Sequence, residues 1–310
     1  MKKILISGAA GYIGSMLSTK LVLQGYDVTA VDNFTYDKGS LNHLFYYKNF
    51  KLIKADINED KIIKKIIQKK DFIIPLAALV GAPICEKKKK LAIKTNLNSI
   101  KILVKYLNKN QKIIYPTTNS GYGIGMKNSY CTEESPINPI STYGKTKTEA
   151  EKIIATHLNY ISFRLATVFG FSYRMRIDLM VNNFVYLANK NKELTLYEPN
   201  FRRNFVHIRD VVDAFCFAIK NFYKLKNNTF NVGLQSANIT KLDLAKIIKK
   251  NIPSLKIKVF NNKKDPDQRD YYVSNKKLMN AGFVCQVSLE EGVKELLKVF
   301  NQENKFSKNY

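Results

Sequence analysis

The stretch "GAAGYIG", Gly8–Gly14, lies between an apolar run at residues 3–7 and a helical pattern at residues 12–24. Glycine permits a tight turn from strand to helix, and it lets the backbone approach a pyrophosphate at the helix N-terminus. A glycine pattern alone is weak support for such a site. Asp32, however, ends the next apolar run at the distance expected of a carboxylate that binds ribose hydroxyls. The two features together predict a dinucleotide site, and the carboxylate favours NAD over NADP because it repels a 2′-phosphate.

The rest of the chain supports this interpretation of the glycine turn. Short apolar runs alternate with helical patterns up to Gly170, which predicts parallel βαβ units. The pattern beyond is less regular. We therefore expect an α/β protein with a Rossmann-type doubly wound parallel sheet and a smaller C-terminal α/β substrate lobe. The expected NAD-binding domain covers residues 1–170, with a return of the chain around 204–235, and the expected substrate lobe covers 171–310. Strands are predicted at 3–7, 27–32, 50–56, 71–78, 111–117 and 160–166, and helices at about 12–24, 59–69, 91–109, 144–158, 177–191, 210–223, 240–250 and 289–300.

The formal net charge of +26 suggests nucleic-acid binding, but the lysines are spread along the whole chain with no dominant block. Arginine is distributed differently. Only seven of the 51 basic residues are Arg, and all seven lie between residues 164 and 269. Because the planar guanidinium binds phosphate in a bidentate way, this region predicts a small phosphorylated ligand and no nucleic acid. We expect at least Arg164 and Arg209 to form structural ion pairs instead.

Four widely spaced cysteines without a CxxC pair indicate reduced thiols in a cytoplasmic protein. The three histidines share no metal-ligand spacing, so no metal site is predicted. No apolar run reaches membrane-spanning length. The first residues imitate a signal peptide, but glycines interrupt the apolar run at once, which favours a first strand.

A second motif, "STYGKTKTEAE" (141–151), opens a predicted helix with Tyr143 and Lys147 on one face. An ammonium near a phenol favours the phenolate and lowers the pKa of the tyrosine. A YxxxK pair alone occurs often by chance. Here it follows the glycine turn and a polar strand end, "YPTTNSGYGIG" (115–125), so a catalytic role is the better hypothesis.

The glycine turn, the Ser/Thr strand end, YxxxK and "RRNFVHIRDVVDAF" (202–215) together resemble an extended short-chain dehydrogenase/reductase over nearly the whole chain. The family is that of the NAD-dependent sugar-nucleotide epimerases and dehydratases. The resemblance implies that Tyr143 takes a proton from a sugar hydroxyl while hydride passes to the nicotinamide. It also implies that Lys147 holds the nicotinamide ribose. It further implies that Thr118, five residues before Gly123, forms a hydrogen bond with the reacting hydroxyl.

The resemblance also implies the remaining site residues. The cofactor-binding set is Gly8, Gly11, Tyr12, Ile13, Gly14, Asp32, Asn33, Asp56, Ile57, Leu76, Ala77, Ala78, Asn96, Tyr143 and Lys147. The substrate-binding set is Thr118, Asn119, Ser120, Thr167, Arg174, Arg176, Asn182, Arg203 and Arg269. For Asp56 the alternative is a strand-end turn residue, for Asn182 a helix-surface residue, and for Arg202 and Arg209 a structural role.

Two substitutions bear on the reaction. Dehydratases of the family carry an Asp-Glu pair where this chain has Asn119 and Ser120, so the acid and base of 4,6-dehydration are missing. UDP-galactose 4-epimerases place a lysine at Val80 and an asparagine at Thr167. "FSYRMRIDLMVNNF" (171–184) and "DPDQRDYYVSN" (265–275) resemble more closely a branch that includes GDP-heptose 4-dehydrogenases.

We therefore expect NAD-dependent oxidation at C4 of a nucleotide-diphosphate sugar, by an epimerase or a 4-dehydrogenase. The alternatives are a 4,6-dehydratase-like enzyme and a non-catalytic NAD-binding member of the same fold. The resemblance further implies a homodimer that pairs the helices at 91–109 and 144–158.

Overall fold

A computed structural model describes residues 1–36, 39–125, 129–260 and 269–302. The strands are β1 (Lys3–Ser7), β2 (Asp27–Asp32), β3 (Phe50–Lys54), β4 (Phe72–Pro75), β5 (Lys112–Thr118), β6 (Tyr130–Cys131), β7 (Tyr160–Leu165), β8 (Thr167–Phe169), β9 (Glu193–Tyr197), β10 (Arg202–His207), β11 (Asn228–Val232), β12 (Asn238–Thr240), β13 (Lys256–Phe260) and β14 (Tyr272–Val273). The helices are α1 (Tyr12–Leu23), α2 (Asp60–Ile66), α3 (Ala82–Lys87), α4 (Lys89–Ile93), α5 (Ser99–Tyr106), α6 (Thr142–Ile154), α7 (Met180–Asn191), α8 (Ile208–Lys220), α9 (Phe222–Leu225), α10 (Lys241–Asn251), α11 (Lys276–Asn280) and α12 (Leu289–Gln302).

The main sheet of the described residues has seven strands in the order β11-β7-β5-β4-β1-β2-β3. Each neighbouring pair is parallel. One face packs against α1 and α8, and the other against α2, α5 and α6. Helices on both faces of a parallel sheet bury the strands completely, which explains their continuous apolar sequences. The predicted fold class, a Rossmann-type α/β sheet, is confirmed.

A smaller lobe follows β7. It contains the three-stranded sheet β12-β10-β8 and the pair β13-β9, with α7, α10 and α12 packed around a separate apolar core. The chain also returns to the main sheet, where β11 pairs with β7 in parallel. The boundary between the two lobes therefore brings residues from both halves of the chain to one edge of the sheet.

The segment predicted as one helix over 91–109 is different in the structure. Two short helices, α3 and α4, lead into a π-helical turn at Lys94–Asn98, and α5 begins only at Ser99. Inside the turn, the Asn96 amide bonds both the backbone N–H and the carbonyl of Leu79, at 2.7 and 3.0 Å. A single π turn widens the helix locally, and here the widened turn is tied to the loop after β4.

The junction between β1 and α1 depends on the absence of side chains. A Cβ at Gly14 would lie 2.2 Å from the carbonyl oxygen of Gly8, and a Cβ at Gly8 would lie 2.5 Å from the backbone nitrogen of Ala77. Gly8 also has a φ of +68°, in the left-handed region. Only glycine at these positions lets α1 start directly against the sheet.

We expect Gly14→Ala to destabilise the fold, because the added methyl group meets backbone atoms that cannot rotate away. The expected loss is about 1–3 kcal/mol of the free energy of unfolding, measured by urea denaturation. Ser18→Ala, one turn further along α1, is the matched control. Its buried hydroxyl has no hydrogen-bond partner among the described residues, so its removal should leave stability unchanged or higher. Equal losses in the two variants would contradict the steric explanation.

Candidate active site

The carboxyl ends of β1, β2, β4 and β5 meet at one edge of the sheet, where ligands of open α/β sheets bind. The N-terminus of α1 lies there too. No described side chain caps this helix, and its first turn contains no acidic residue. Its first backbone N–H groups are therefore available to an anion.

Asp32 lies at the end of β2 beside the glycine turn. Its carboxylate accepts hydrogen bonds from the backbone N–H groups of Ala10, at 2.9 Å, and Phe34, at 2.8 Å. Burial raises the pKa of this carboxyl, while the two N–H groups and the nearby Arg174 guanidinium oppose the rise. The carboxylate is thus oriented toward the space in front of α1.

The other residues of the predicted cofactor set lie around this edge. Asn33 and Asp56 close local turns, through hydrogen bonds to Thr35 and Asn58. The backbone of Ala77, in the segment Leu76–Ala78, lies against Gly8. Ile57 is buried in the apolar layer on the α2 side of the sheet.

Three predicted catalytic side chains meet where β5 ends and α6 begins. The Ser141 side chain caps α6, and Glu86 accepts a hydrogen bond from the Thr142 N–H at 2.8 Å, so Tyr143 occupies the first turn. The Thr118 side chain acts on Tyr143 by lowering the pKa of its phenol, and the Thr118 hydroxyl donates to the Ser120 hydroxyl at 2.9 Å. One turn later, Lys147 is almost fully buried, with 4% of its surface exposed.

The pKa of Tyr143 differs from the sequence-based expectation. Burial raises it to about 12 and the Cys85 thiol adds to the rise, whereas Arg176, Arg269 and Thr118 lower it. Arg176 and Arg269 are therefore two cations that favour the phenolate.

Lys147 has its own environment. Its ammonium lies 4.1 Å from the ring centroid of Tyr115, and burial lowers its pKa to about 7. No described residue accepts a hydrogen bond from this ammonium in the structure. A buried ammonium without an acceptor is costly, which fits a lysine that holds a ligand hydroxyl.

Asn119 and Ser120 lie directly after Thr118, and both are buried. The two polar atoms of the Asn119 amide have no hydrogen-bond partner among the described residues. The Ser120 hydroxyl accepts hydrogen bonds from the Thr118 hydroxyl, at 2.9 Å, and from Arg269. Asn119 therefore offers one donor group and one acceptor.

The predicted substrate arginines come from three segments. Arg176 bonds Asp178 and the carbonyl of Val80. Arg174 stacks on Tyr36, 4.8 Å from the ring centroid, and this places it near Asp32. Arg269 donates a hydrogen bond to the Ser120 hydroxyl, two residues after Thr118.

Two predicted substrate residues have side chains directed into the protein. Arg203 is fully buried and donates to the backbone carbonyls of Arg202, at 2.8 Å, and Arg269. The Asn182 amide accepts from the Gly170 N–H at 3.0 Å and donates to the carbonyl of Arg176 at 2.8 Å. Arg203 therefore holds the backbone of Arg269, and Asn182 holds the backbone of Arg176. Thr167 is half-buried at the start of β8.

Tyr12 connects the cofactor side to the smaller lobe, because its hydroxyl donates to the carbonyl of Gly170 at 2.6 Å. Ile13, beside it, packs against the apolar cores of both lobes. The remaining arginines form structural ion pairs, namely Arg164–Glu151, Arg202–Asp270 and Arg209–Glu295. This was expected for Arg164 and Arg209.

Sequence reasoning missed four residues near the site: Tyr36, Cys85, Glu86 and Tyr115. Each is separated from its partner by more than 30 positions along the chain, so no local pattern pairs them. The four cysteines are free thiols, as predicted. Within the described ranges, no cluster of possible ligands could hold a metal ion, and no helix is long and apolar enough to cross a membrane.

The site fits a dinucleotide. The Gly8–Gly14 turn leaves a space that any Cβ would fill, and the N-terminus of α1 faces it without a cap. Asp32 presents a carboxylate at one end, and the Lys147 ammonium lacks an acceptor at the other. These are the groups that a pyrophosphate and two riboses require.

Comparison with known proteins agrees with this geometry. The sequence profile of the NAD dependent epimerase/dehydratase family matches residues 4–233. The chain is 31% identical to UDP-glucuronic acid decarboxylase 3 of Arabidopsis thaliana over 309 residues, covering 94% of this chain and 86% of that protein. It resembles the structure of a UDP-glucose 4-epimerase from Thermotoga maritima with UDP-glucose, with TM-score 0.84, 27% identity and coverage of 97% and 99%. A UDP-glucuronic acid 4-epimerase from Bacillus cereus, in complex with UDP-glucuronic acid and NAD, shares the fold, with TM-score 0.86, 24% identity and coverage of 97% and 99%.

We expect Asp32→Asn to weaken NAD binding at least about tenfold, since an amide oxygen can replace only one of two acceptors and its NH₂ group opposes a backbone N–H. Isothermal titration calorimetry with NAD measures this. Asp27→Asn is the matched control, because Asp27 begins the same strand, β2, at the end away from the site. An equal or larger effect at Asp27 than at Asp32 would contradict the assignment.

Proposed function

The chain belongs to the NAD-dependent epimerase/dehydratase family, and we propose that it oxidises C4 of a nucleotide-diphosphate sugar, as an epimerase or a 4-dehydrogenase. The main support is the meeting of Tyr143, Thr118 and Lys147 at the end of β5, beside the glycine turn. NAD, the cofactor of this family, supplies the hydride acceptor when bound.

In this proposal Tyr143 is the base. It takes the proton of the sugar hydroxyl, and the Thr118 hydroxyl holds that sugar hydroxyl in place by a hydrogen bond. A phenol with a pKa near 12 is a weak base at neutral pH, so nearby cations must stabilise the phenolate. Arg176 and Arg269 already act in this direction, and their removal should raise the pKa further.

The substrate diphosphate is assigned to the arginines at the lobe boundary. Arg176 and Arg269 are the arginines that act on Tyr143, since both lower its pKa. Arg203 supports this group by bonding the backbone of Arg269. Arg174, Thr167 and Asn182 complete the proposed substrate-binding set, with Asn182 acting through the backbone of Arg176.

The residues beside Thr118 do not support 4,6-dehydration. That reaction needs an acid for the C6 hydroxyl and a base for the C5 proton. The Asn119 amide is no acid, and the Ser120 hydroxyl is a poor base that already accepts a hydrogen bond from Arg269. Asn119 and Ser120 instead line the sugar cavity in this proposal.

A second candidate is decarboxylation, which the UDP-glucuronic acid decarboxylase relatives favour. Oxidation at C4 of a uronic acid places a ketone β to the carboxylate, and CO₂ can then leave without an additional base. This route requires neither Asn119 nor Ser120 as an acid or base. A non-catalytic NAD-binding role is less well supported, because a binding protein has no need of all three of Tyr143, Lys147 and Thr118.

We further propose a cytoplasmic homodimer that pairs α5 and α6 of each subunit in a four-helix bundle. A monomer at micromolar concentration in light scattering would contradict it.

Incubation with GDP-linked and UDP-linked sugars, including UDP-glucuronic acid, tests the proposal when the sugar product and the redox state of the cofactor are identified together. A C4 epimer with oxidised NAD identifies an epimerase. A 4-keto sugar with reduced cofactor identifies a dehydrogenase, and CO₂ with a pentose product identifies a decarboxylase. A 4-keto-6-deoxy sugar, or no oxidation of any of these substrates, would contradict the main proposal.

We expect Tyr143→Phe to lower kcat about 10²–10⁴-fold, the usual contribution of a positioned base, while the Kd for NAD changes little. Steady-state kinetics on the identified substrate and calorimetry with NAD measure the two effects. Tyr130→Phe is the matched control, since that tyrosine is half exposed and lies outside the site. Full turnover in Tyr143→Phe would support the non-catalytic alternative.

A further inference from the structure

Tyr115 is a buried tyrosine on β5, three residues before Thr118. None of its surface is exposed, and its hydroxyl has no hydrogen-bond partner among the described residues. A buried hydroxyl without a partner destabilises a fold. A phenylalanine at this position would avoid that cost, so hydrogen bonding does not explain the residue.

The ring of Tyr115, by contrast, has a close contact. The Lys147 ammonium lies 4.1 Å from the ring centroid, well within the range of a cation–π interaction. Both groups are withdrawn from water, where this attraction is strongest. The face of the ring therefore replaces part of the hydration that the ammonium loses on burial.

The titratable groups that surround Lys147 lie on three elements. Tyr143 and Glu151 lie one turn before and one turn after it on α6, Tyr115 lies below it on β5, and the Cys85 thiol approaches from α3. Glu151 is the one carboxylate among them that opposes the loss of the proton. It is also engaged by Arg164 at 2.7 Å, so it cannot move to the ammonium.

We propose that the ring of Tyr115 is a positioning residue for Lys147, which holds the ammonium at the end of β5 in the geometry that binds the cofactor ribose. The inference rests on the proposed function in one respect, namely the cofactor role of Lys147. Tyr115 itself contacts neither substrate nor cofactor in this scheme.

The ring has a measurable consequence for protonation. Because it stabilises the charged form, its removal lowers the pKa of Lys147. Binding that needs the ammonium is present at low pH and is lost as pH rises through that pKa, so the loss moves to lower pH. The usual strength of a cation–π pair corresponds to a shift of about half to one and a half pH units.

The experiment measures the Kd for NAD by calorimetry between pH 6 and 10, with no sugar present. Tyr115→Leu removes the ring. We expect the weakening of NAD binding with rising pH to begin about half to one and a half pH units lower than in the wild type. At a pH above the Lys147 pKa of both proteins, this shift corresponds to a Kd about 3- to 30-fold higher in the variant. Tyr115→Phe keeps the ring and should retain the wild-type pH dependence. If Tyr115→Leu yields no folded protein, Tyr115→Met makes the same comparison with more of the volume filled.

Ile113→Ala is the matched control, because Ile113 lies two residues earlier on the same face of β5 in the same apolar layer. It should lower stability without moving the pH dependence. An equal shift in Ile113→Ala and Tyr115→Leu, or a Tyr115→Phe variant that behaves like Tyr115→Leu, would overturn the inference. So would a wild-type pH dependence that survives in Lys147→Met.

These outcomes are separate from those of the proposed reaction. If NAD binding shows the expected pH shift and no nucleotide sugar is oxidised, the reaction is wrong and the role of Tyr115 stands. If C4 oxidation is found and the shift is absent, the reaction stands and Tyr115 is only a core residue.

Discussion

The architecture of the site depends on one steric constraint, the contact between the Gly8 carbonyl and Gly14. A single added carbon there would lie 2.2 Å from the oxygen. Without side chains at these positions, α1 begins directly at the edge of the sheet, and its uncapped N–H groups face the ends of β2 and β4. Asp32 then accepts a hydrogen bond from Ala10, within the turn itself. The uncapped N-terminus of α1 and the Asp32 carboxylate are therefore parts of one local structure.

A second set of constraints is electrostatic. The site buries a phenol, an ammonium and several guanidinium groups, and each is stabilised by a different means. Arg176 is paired with Asp178, and Arg164 with Glu151. Lys147 has the ring of Tyr115 instead of a carboxylate. A paired lysine would be held away from a ligand, whereas a ring leaves the hydrogen-bonding capacity of the ammonium unused. This difference is suited to a lysine that must bind ribose hydroxyls.

The sequence was sufficient for the fold because its signals are local. The glycine turn, the alternation of strands and helices and the aspartate at the end of β2 each involve a few neighbouring residues. The directions of side chains were not predictable in the same way. Arg203 and Asn182 have the residue types of ligand-binding groups, but their contacts with Arg269 and Gly170 depend on how distant segments pack. The π-helical turn at Asn96 was also missed, since a continuous helical pattern contains no sign of one extra residue. The stacking of Arg174 on Tyr36 joins segments more than 130 residues apart.

The same chemistry at C4 can lead to an epimer, a released ketone or a decarboxylated sugar. In the proposed mechanism all three outcomes use Tyr143, Lys147 and Thr118, so these residues do not decide among them. The groups that touch the rest of the sugar must decide. Asn119 is informative here, because its buried amide presents an unmatched donor and an unmatched acceptor. A hydroxyl satisfies both, whereas a carboxylate can only accept and would leave the amide oxygen unpaired. With Asn119 lining the sugar cavity, as we propose, a neutral sugar with a hydroxyl near this position is better matched to the amide than a uronic acid, and this supports the proposed C4 oxidation without decarboxylation.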